Sequence, residues 1–200
     1  MSINLQKGQK IDLTKGGSAS GLKHIMVALG WDEAEKPKGV LGGLFGKKGF
    51  EFDCDASALL CDNGGHYKDM VYYGNLQLPD GSVVHQGDNL VGGSGGDDEQ
   101  IMVDLSKLNP EYGKIVFVVN IFDAKEREQH FGMIRNAYIR LVDLDNNNEI
   151  CRFNLSENYN GMEGLIVGEI YKHNNEWKFN AVGQPVQKCS KVLDFTAYYR

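Results

Sequence analysis

Residues 52–57 read Phe-Asp-Cys-Asp-Ala-Ser. Apolar side chains at Phe52, Cys54 and Ala56 alternate with polar ones at Asp53, Asp55 and Ser57, the period of a strand with one buried face and one turned outward. The same period marks Ile11 and Leu13, and Ile25 to Leu29. Further strand candidates are Met70 to Tyr73, Ser82 to His85, Ile101 to Leu105, Ile115 to Ile121, Ala137 to Val142, Ile150 to Leu155, Leu165 to Tyr171 and Trp177 to Val182. Turn residues separate them, as in Asp62-Asn63-Gly64-Gly65, Pro79-Asp80-Gly81, Asp145 to Asn148 and Asn174-Asn175. About ten short strands, each with an apolar face that needs a partner layer, predict an all-β antiparallel β-sandwich. Short helices are expected only at Ala124 to Gly132 and Lys191 to Tyr199.

The chain of 200 residues fits one domain spanning 1–200, with a flexible loop at about 33–49 and a C-terminal tail from about 184. Its formal charge of -6 argues against a nucleic-acid partner, which would call for a basic face, and favours a cation. The four cysteines, Cys54, Cys61, Cys151 and Cys189, form no C-x-x-C pair and read as reduced, buried thiols. Met1 to Lys10 lacks the pattern of a secretion signal, and no apolar run is long enough to span a bilayer. The expected location is cytoplasmic, at most peripheral at the inner membrane surface.

Two segments carry the chemistry. Residues 87–99 form a glycine-rich loop between acidic ends, and from Gly87 to Asp104 there are five carboxylates and no lysine or arginine. Asp97, Asp98 and Glu99 in a row repel one another when held together, and a multivalent cation would relieve that repulsion. Calcium suits the donors, since it takes six to eight oxygens at roughly 2.3–2.6 Å. Asp53 and Asp55 stand at i and i+2 on one strand face, and loops meeting at one end of a sandwich would join them to Asp88 and Asp97 to Glu99 in a shared cup. A solvated acidic turn is the other reading of the same residues. His85, two residues before the loop, reads as a strand residue. Asp143 to Glu149 begins like an EF-hand loop but has Asn148 at position 6 and Asn154 at position 12, and so reads as a hairpin turn. Pro37 and the Gly42-Gly43-Leu44-Phe45-Gly46 run put an apolar tip in the 33–49 loop, either a docking point or a tip folded back on the sandwich.

Several of these segments resemble the TerD/TerZ family of tellurium-resistance and stress-response proteins. They include Leu29-Gly30-Trp31-Asp32, Phe52-Asp53-Cys54-Asp55-Ala56-Ser57, Gly87-Asp88-Asn89-Leu90, Gly96-Asp97-Asp98-Glu99, Ile115-Val116-Phe117-Val118-Val119 and Arg135-Asn136-Ala137-Tyr138-Ile139-Arg140. The resemblance runs from about Ile3 to Gly183. It implies a C2-like sandwich, one or two calcium ions held by Asp53, Asp55, Asp88, Asn89, Asp97, Asp98 and Glu99, and a role in resistance to tellurite and chemical damage. Expected partners are other stress-resistance proteins or a membrane-associated complex. One departure is visible: Val91 replaces the family's usual threonine, and Gly93 and Gly95 stand where acids are usual, which implies a weaker calcium site.

Three functions remain compatible with these residues. A calcium-dependent binding module needs no catalytic base. A metal-assisted hydrolase would use Asp97, Asp98 or Glu99 with His85 nearby. A scaffold would leave the acidic loop solvated. With no nucleophile elbow, no H-E-x-x-H and no triad, the chain is expected not to be an enzyme.

Overall fold

The alternating segments fold as strands, twelve among the residues that the computed structural model describes, which are 2–14, 21–33, 52–87, 96–155 and 157–200. They are β1 (Ile3–Leu5), β2 (Lys10–Asp12), β3 (His24–Glu33), β4 (Cys54–Asp62), β5 (Tyr67–Val71), β6 (Val83–His85), β7 (Glu99–Asp104), β8 (Tyr112–Ile121), β9 (Ile134–Asp143), β10 (Asn148–Asn154), β11 (Gly164–His173) and β12 (Glu176–Val186). Two six-stranded sheets result, ordered β1-β10-β9-β3-β7-β6 and β2-β12-β11-β8-β4-β5. All pairs are antiparallel except β1 with β10. The chain is thus an all-β sandwich.

The core lies between the sheets. Cys54, Ala56, Ala58 and Leu60 of β4 and Ile115, Phe117, Val119 and Ile121 of β8 share one buried cluster with Ile25, Val27 and Leu29 of β3 and Ile101 and Val103 of β7. The alternation at 52–57 therefore fixed the inward face correctly. The run Ile115 to Ile121 does not alternate because the outer face of its sheet is also covered. There Leu59, Cys61, Val116, Val118 and Ile166 pack with Val186, Cys189, Val192 and Phe195 of the C-terminal residues. A short helix was expected at Lys191 to Tyr199 within this tail, and a 3₁₀ helix, Val192–Tyr199, stands there and packs as a third layer. Gly164 makes room for it, since a Cβ there would stand 2.6 Å from Phe195 Cζ and 3.0 Å from the Cys189 carbonyl. The four thiols are buried and unbridged.

Three other expectations meet the structure differently. The helix predicted for Ala124 to Gly132 is a series of turns ending in a single 3₁₀ turn, Phe131–Met133. Asp123 (φ 50°) and Glu128 (φ 54°) adopt left-handed backbone, which a right-handed helix cannot pass through. Asp143 to Glu149 is the expected hairpin turn, with Asn148 paired to Asp143 and the Asp145 N–H donating to Asp143 Oδ1 at 3.0 Å. The 33–49 loop, with Leu44 and Phe45, falls almost wholly on residues outside those described. Among the described residues no helix is long and apolar enough to cross a membrane, which leaves β-barrel crossings unaddressed.

Candidate functional site

Five of the seven predicted ligands are described: Asp53, Asp55, Asp97, Asp98 and Glu99; Asp88 and Asn89 lie outside the described residues. The five gather at the end of the sandwich where β4 and β7 begin, and each is engaged by a different part of the frame.

Glu99 opens β7 and turns inward, buried beside His85 of β6. The reason lies in β4. β5 pairs with β4 from Ala58 to Cys61, so the peptide groups of Ala56, which face the same way as those of Ala58, lie beyond the end of β5. Glu99 Oε2 accepts the Ala56 N–H at 3.1 Å, and His85 Nε2 meets Ala56 O at 3.1 Å and Glu99 Oε2 at 3.0 Å. The Gly87 N–H donates to His85 Nδ1 at 3.1 Å, which places the imidazole proton on Nε2, the atom that donates to both oxygens. Two side chains of the first sheet thus stand in for a missing strand of the second.

Asp98 does the same for β3. The β3–β7 ladder ends with Leu29 opposite Glu99, and Trp31 lies beyond it at a bulge. Asp98 donates its N–H to Leu29 O at 2.8 Å and accepts the Trp31 N–H on Oδ2 at 2.8 Å.

Asp97 turns to the outer face of the first sheet. Arg140 of β9 grips it with both arms, Nε to Oδ1 at 2.8 Å and Nη2 to Oδ2 at 2.6 Å, and the Tyr138 hydroxyl donates to Oδ1 at 2.9 Å. Burial acts to raise the Asp97 pKa, but the Arg140 and Tyr138 bonds outweigh it and hold the carboxyl below the usual aspartate range. Burial and the same bond push Tyr138 up to about 12. The 87–104 segment holds no cation, yet one arrives from a strand 43 residues on. Sequence reasoning noted Arg140 only as the end of a family-like segment and gave it no role at the acidic loop; as a charged position it alternates with apolar Ile139 and Leu141.

Asp55, buried on the outer face of the second sheet, accepts from Asn120 Nδ2 at 3.0 Å. Asp53 lies 3.7 Å from Arg127. Cys54 sits among these groups: burial raises its thiol pKa well above the ordinary value, and the charges of Asp55, Asp53, Glu99 and Asp98 raise it further. Beside Asp97, a cavity of about 500 Å³ is lined by Trp31, Asp32, Asn136, Tyr138 and Arg152, with the Arg152 guanidinium 4.0 Å above the Tyr138 ring.

The donor set is all oxygen, the type calcium prefers. Among the described residues, however, no three His, Cys, Asp or Glu side chains converge closely enough to hold an ion. What the described carboxylates do by themselves is hold backbone and cationic side chains in place.

Fold and site together define a twelve-stranded sandwich, counted over the described residues, with a carboxylate-rich end fastened by its own side chains. The chain belongs to the TerD domain family, whose model it matches over residues 1–192. It is 50% identical over 186 residues to stress response protein SCP2 of Bacillus subtilis (strain 168), covering 92% of each chain. To tellurium resistance protein TerD of Serratia marcescens it is 42% identical over 187 residues, covering 92% of this chain and 91% of that one. The crystal structure of a homologue of telluride resistance protein (TerD) from Streptomyces coelicolor A3(2) superposes with a TM-score of 0.64 at 18% identity, covering 88% of this chain and 96% of that one. This likeness establishes a shared fold.

Proposed function

We propose that the protein serves in the stress response, in resistance to tellurium compounds and chemical damage, as a calcium-dependent binding or scaffolding module and not as an enzyme. The resistance role is supported by relatives that carry those names, tellurium resistance protein TerD and chemical-damaging agent resistance protein B of Clostridium acetobutylicum among them. The observation that carries the calcium reading is that Glu99 reaches from β7 to the Ala56 N–H of β4, which brings Asp98 and Glu99 to the same end of the sandwich as Asp53 and Asp55. Such convergence of negative charge at one end is what a hard divalent cation relieves. Asp88 and Asn89 are the further ligands that the reading assigns, and the neutral Asp97–Arg140 pair contributes least, because its oxygens are already taken. Calcium would order this end into a surface for partners, which on this reading are other stress-resistance proteins or a membrane-associated complex.

A non-enzymatic role is supported by His85, the nearest candidate base, whose ring nitrogens both serve backbone and Glu99. A metal-independent scaffold is the second reading. It is favoured by the partners that Asp53, Asp55, Asp97, Asp98 and Glu99 already have within the fold. Calorimetric titration of chelator-treated protein with calcium and with magnesium, beside an Asp53→Asn/Asp55→Asn variant, separates the two. The calcium reading expects selective uptake that the double substitution abolishes. No heat and no change in melting with calcium would hand the protein to the scaffold reading.

A further inference from the structure

We propose that the cavity at the end of the first sheet binds a small zwitterion of the amino-acid type, its carboxylate on Arg152 and its ammonium on Asp32. The inference involves no calcium and goes beyond the reading above.

The cavity sits where the first sheet is irregular. Gly30 of β3 pairs with Tyr138 of β9 and Asp32 with Arg135, so that Asn136 and Ala137 together oppose Trp31 alone. That is a β-bulge, a device that bends a strand and re-aims its side chains. Asn136 adopts left-handed backbone there (φ 52°), a conformation that a non-glycine residue keeps only where its surroundings impose it. Its side chain ties the bulge to β3 by donating to Asp32 Oδ2 at 2.7 Å. Trp31, Asn136 and Ala137 all line the cavity, whose 500 Å³ falls within the roughly 300–1,000 Å³ of small-molecule sites.

Two walls of opposite charge face this space. The sheet runs β10-β9-β3, so Arg152 of β10 and Asp32 of β3 flank the bulged strand from either side. Arg152 is held in advance, its guanidinium stacked on Tyr138. That ring lies close over Gly30, where a Cβ would stand 2.5 Å from it, and its hydroxyl is fixed by the Gly96 carbonyl and Asp97. Of the five N–H groups of a guanidinium, one, on Nη2, meets Glu149 Oε2 at 3.2 Å. Glu149 is shared with Arg140 and Ser2 and leaves Arg152 with donors to spare. Asp32 has Asn136, a neutral group, as its partner, with no cation paired to it among the described residues. Arg140 and Arg152 balance Asp97 and Glu149, and Asp32 is the surplus charge. A simple anion is therefore opposed by Asp32, while a simple cation leaves the Arg152 donors unused. A molecule carrying both charges answers both walls, with Trp31, Ala137 and Leu155 as apolar surface for its carbon atoms.

Calorimetric titration of the full-length protein in chelator tests the proposal with glycine, β-alanine and γ-aminobutyrate, which differ in charge spacing. Acetate and methylammonium serve as the two half-ligands. At least one zwitterion is expected to bind about tenfold more tightly than either half, and Arg152→Gln to weaken it about tenfold. Asp32→Asn is expected to weaken the zwitterion and to strengthen acetate several-fold, a reversal that a merely structural aspartate would not produce. It also decides the matter if Arg152→Gln does not fold. Tryptophan emission is expected to change on binding and to stop responding in Trp31→Phe, which keeps Trp177. Absence of binding by all three zwitterions at about 10 mM would overturn the proposal. So would acetate or methylammonium binding as tightly as the best of them, or an Asp32→Asn protein that binds all five compounds as wild type does.

Discussion

At Glu99 a single side chain accepts from a buried backbone N–H and a buried histidine, and its removal would take that acceptor from the Ala56 N–H and leave His85 Nε2 with the Ala56 carbonyl. Glu99→Ala is expected to cost about 1–3 kcal/mol in urea denaturation. Glu99→Gln keeps an acceptor oxygen in place and should cost clearly less. Asp97 makes a prediction about pH. Its folded pKa lies below its unfolded value, so its stabilising share is complete above about pH 4, the ordinary aspartate range, and is lost as pH falls through the lower folded value. Melting curves should therefore converge for wild type and Asp97→Asn as the pH is taken down from 5 to 2, with the wild type higher at the upper end. The sequence announced these carboxylates but not their duties. Three adjacent acids look alike in a string, and what separates them is Arg140, the Trp31 N–H and the His85–Ala56 pair, each brought by a different strand. Which strand end meets which acid depends on where each ladder stops, and that is set by tertiary pairing.

Among the elements, β4 was the most legible, because Phe52, Cys54 and Ala56 are inward just as their alternation requires. β1 was not legible: Ile3 and Asn4 are exposed and only Leu5 is buried, too little pattern to mark a strand. Nor did the run Ile115 to Ile121 say what covers its second face, since an apolar residue does not name its partner. The cover is the C-terminal segment, and its fit depends on Gly164. Gly164→Ala would bring a methyl group to 3.0 Å from a backbone carbonyl and to 2.6 Å from the Phe195 ring. The ring can swing away and the carbonyl cannot, so the substitution is expected to cost about 1–3 kcal/mol and to unseat Phe195. Binding of a hydrophobic dye to the bared Leu59, Val116 and Val118 would report the unseating, and a variant as stable and as dye-silent as wild type would contradict the account.

For the molecule as a whole, the first strands close the last ones. β1 lies along β10 through Ile3 opposite Cys151, and β2 along β12 through Ile11 opposite Phe179. Each is an edge strand of three residues, short enough to offer little to a neighbouring molecule. Deleting residues 2–12 would bare the longer edges of β10 and β12, and concentration-dependent association in sedimentation runs is the expected result. The same pairing has a consequence for how the chain is made. A ribosome that has just added Asp145 has supplied the partner of neither N-terminal strand. β1 waits unpaired until β10 has been made and β2 until β12 has been made, and each sheet is closed on that edge only then. Completion of this fold is therefore timed by the arrival of β10 and β12, and until then the growing chain carries open strand edges.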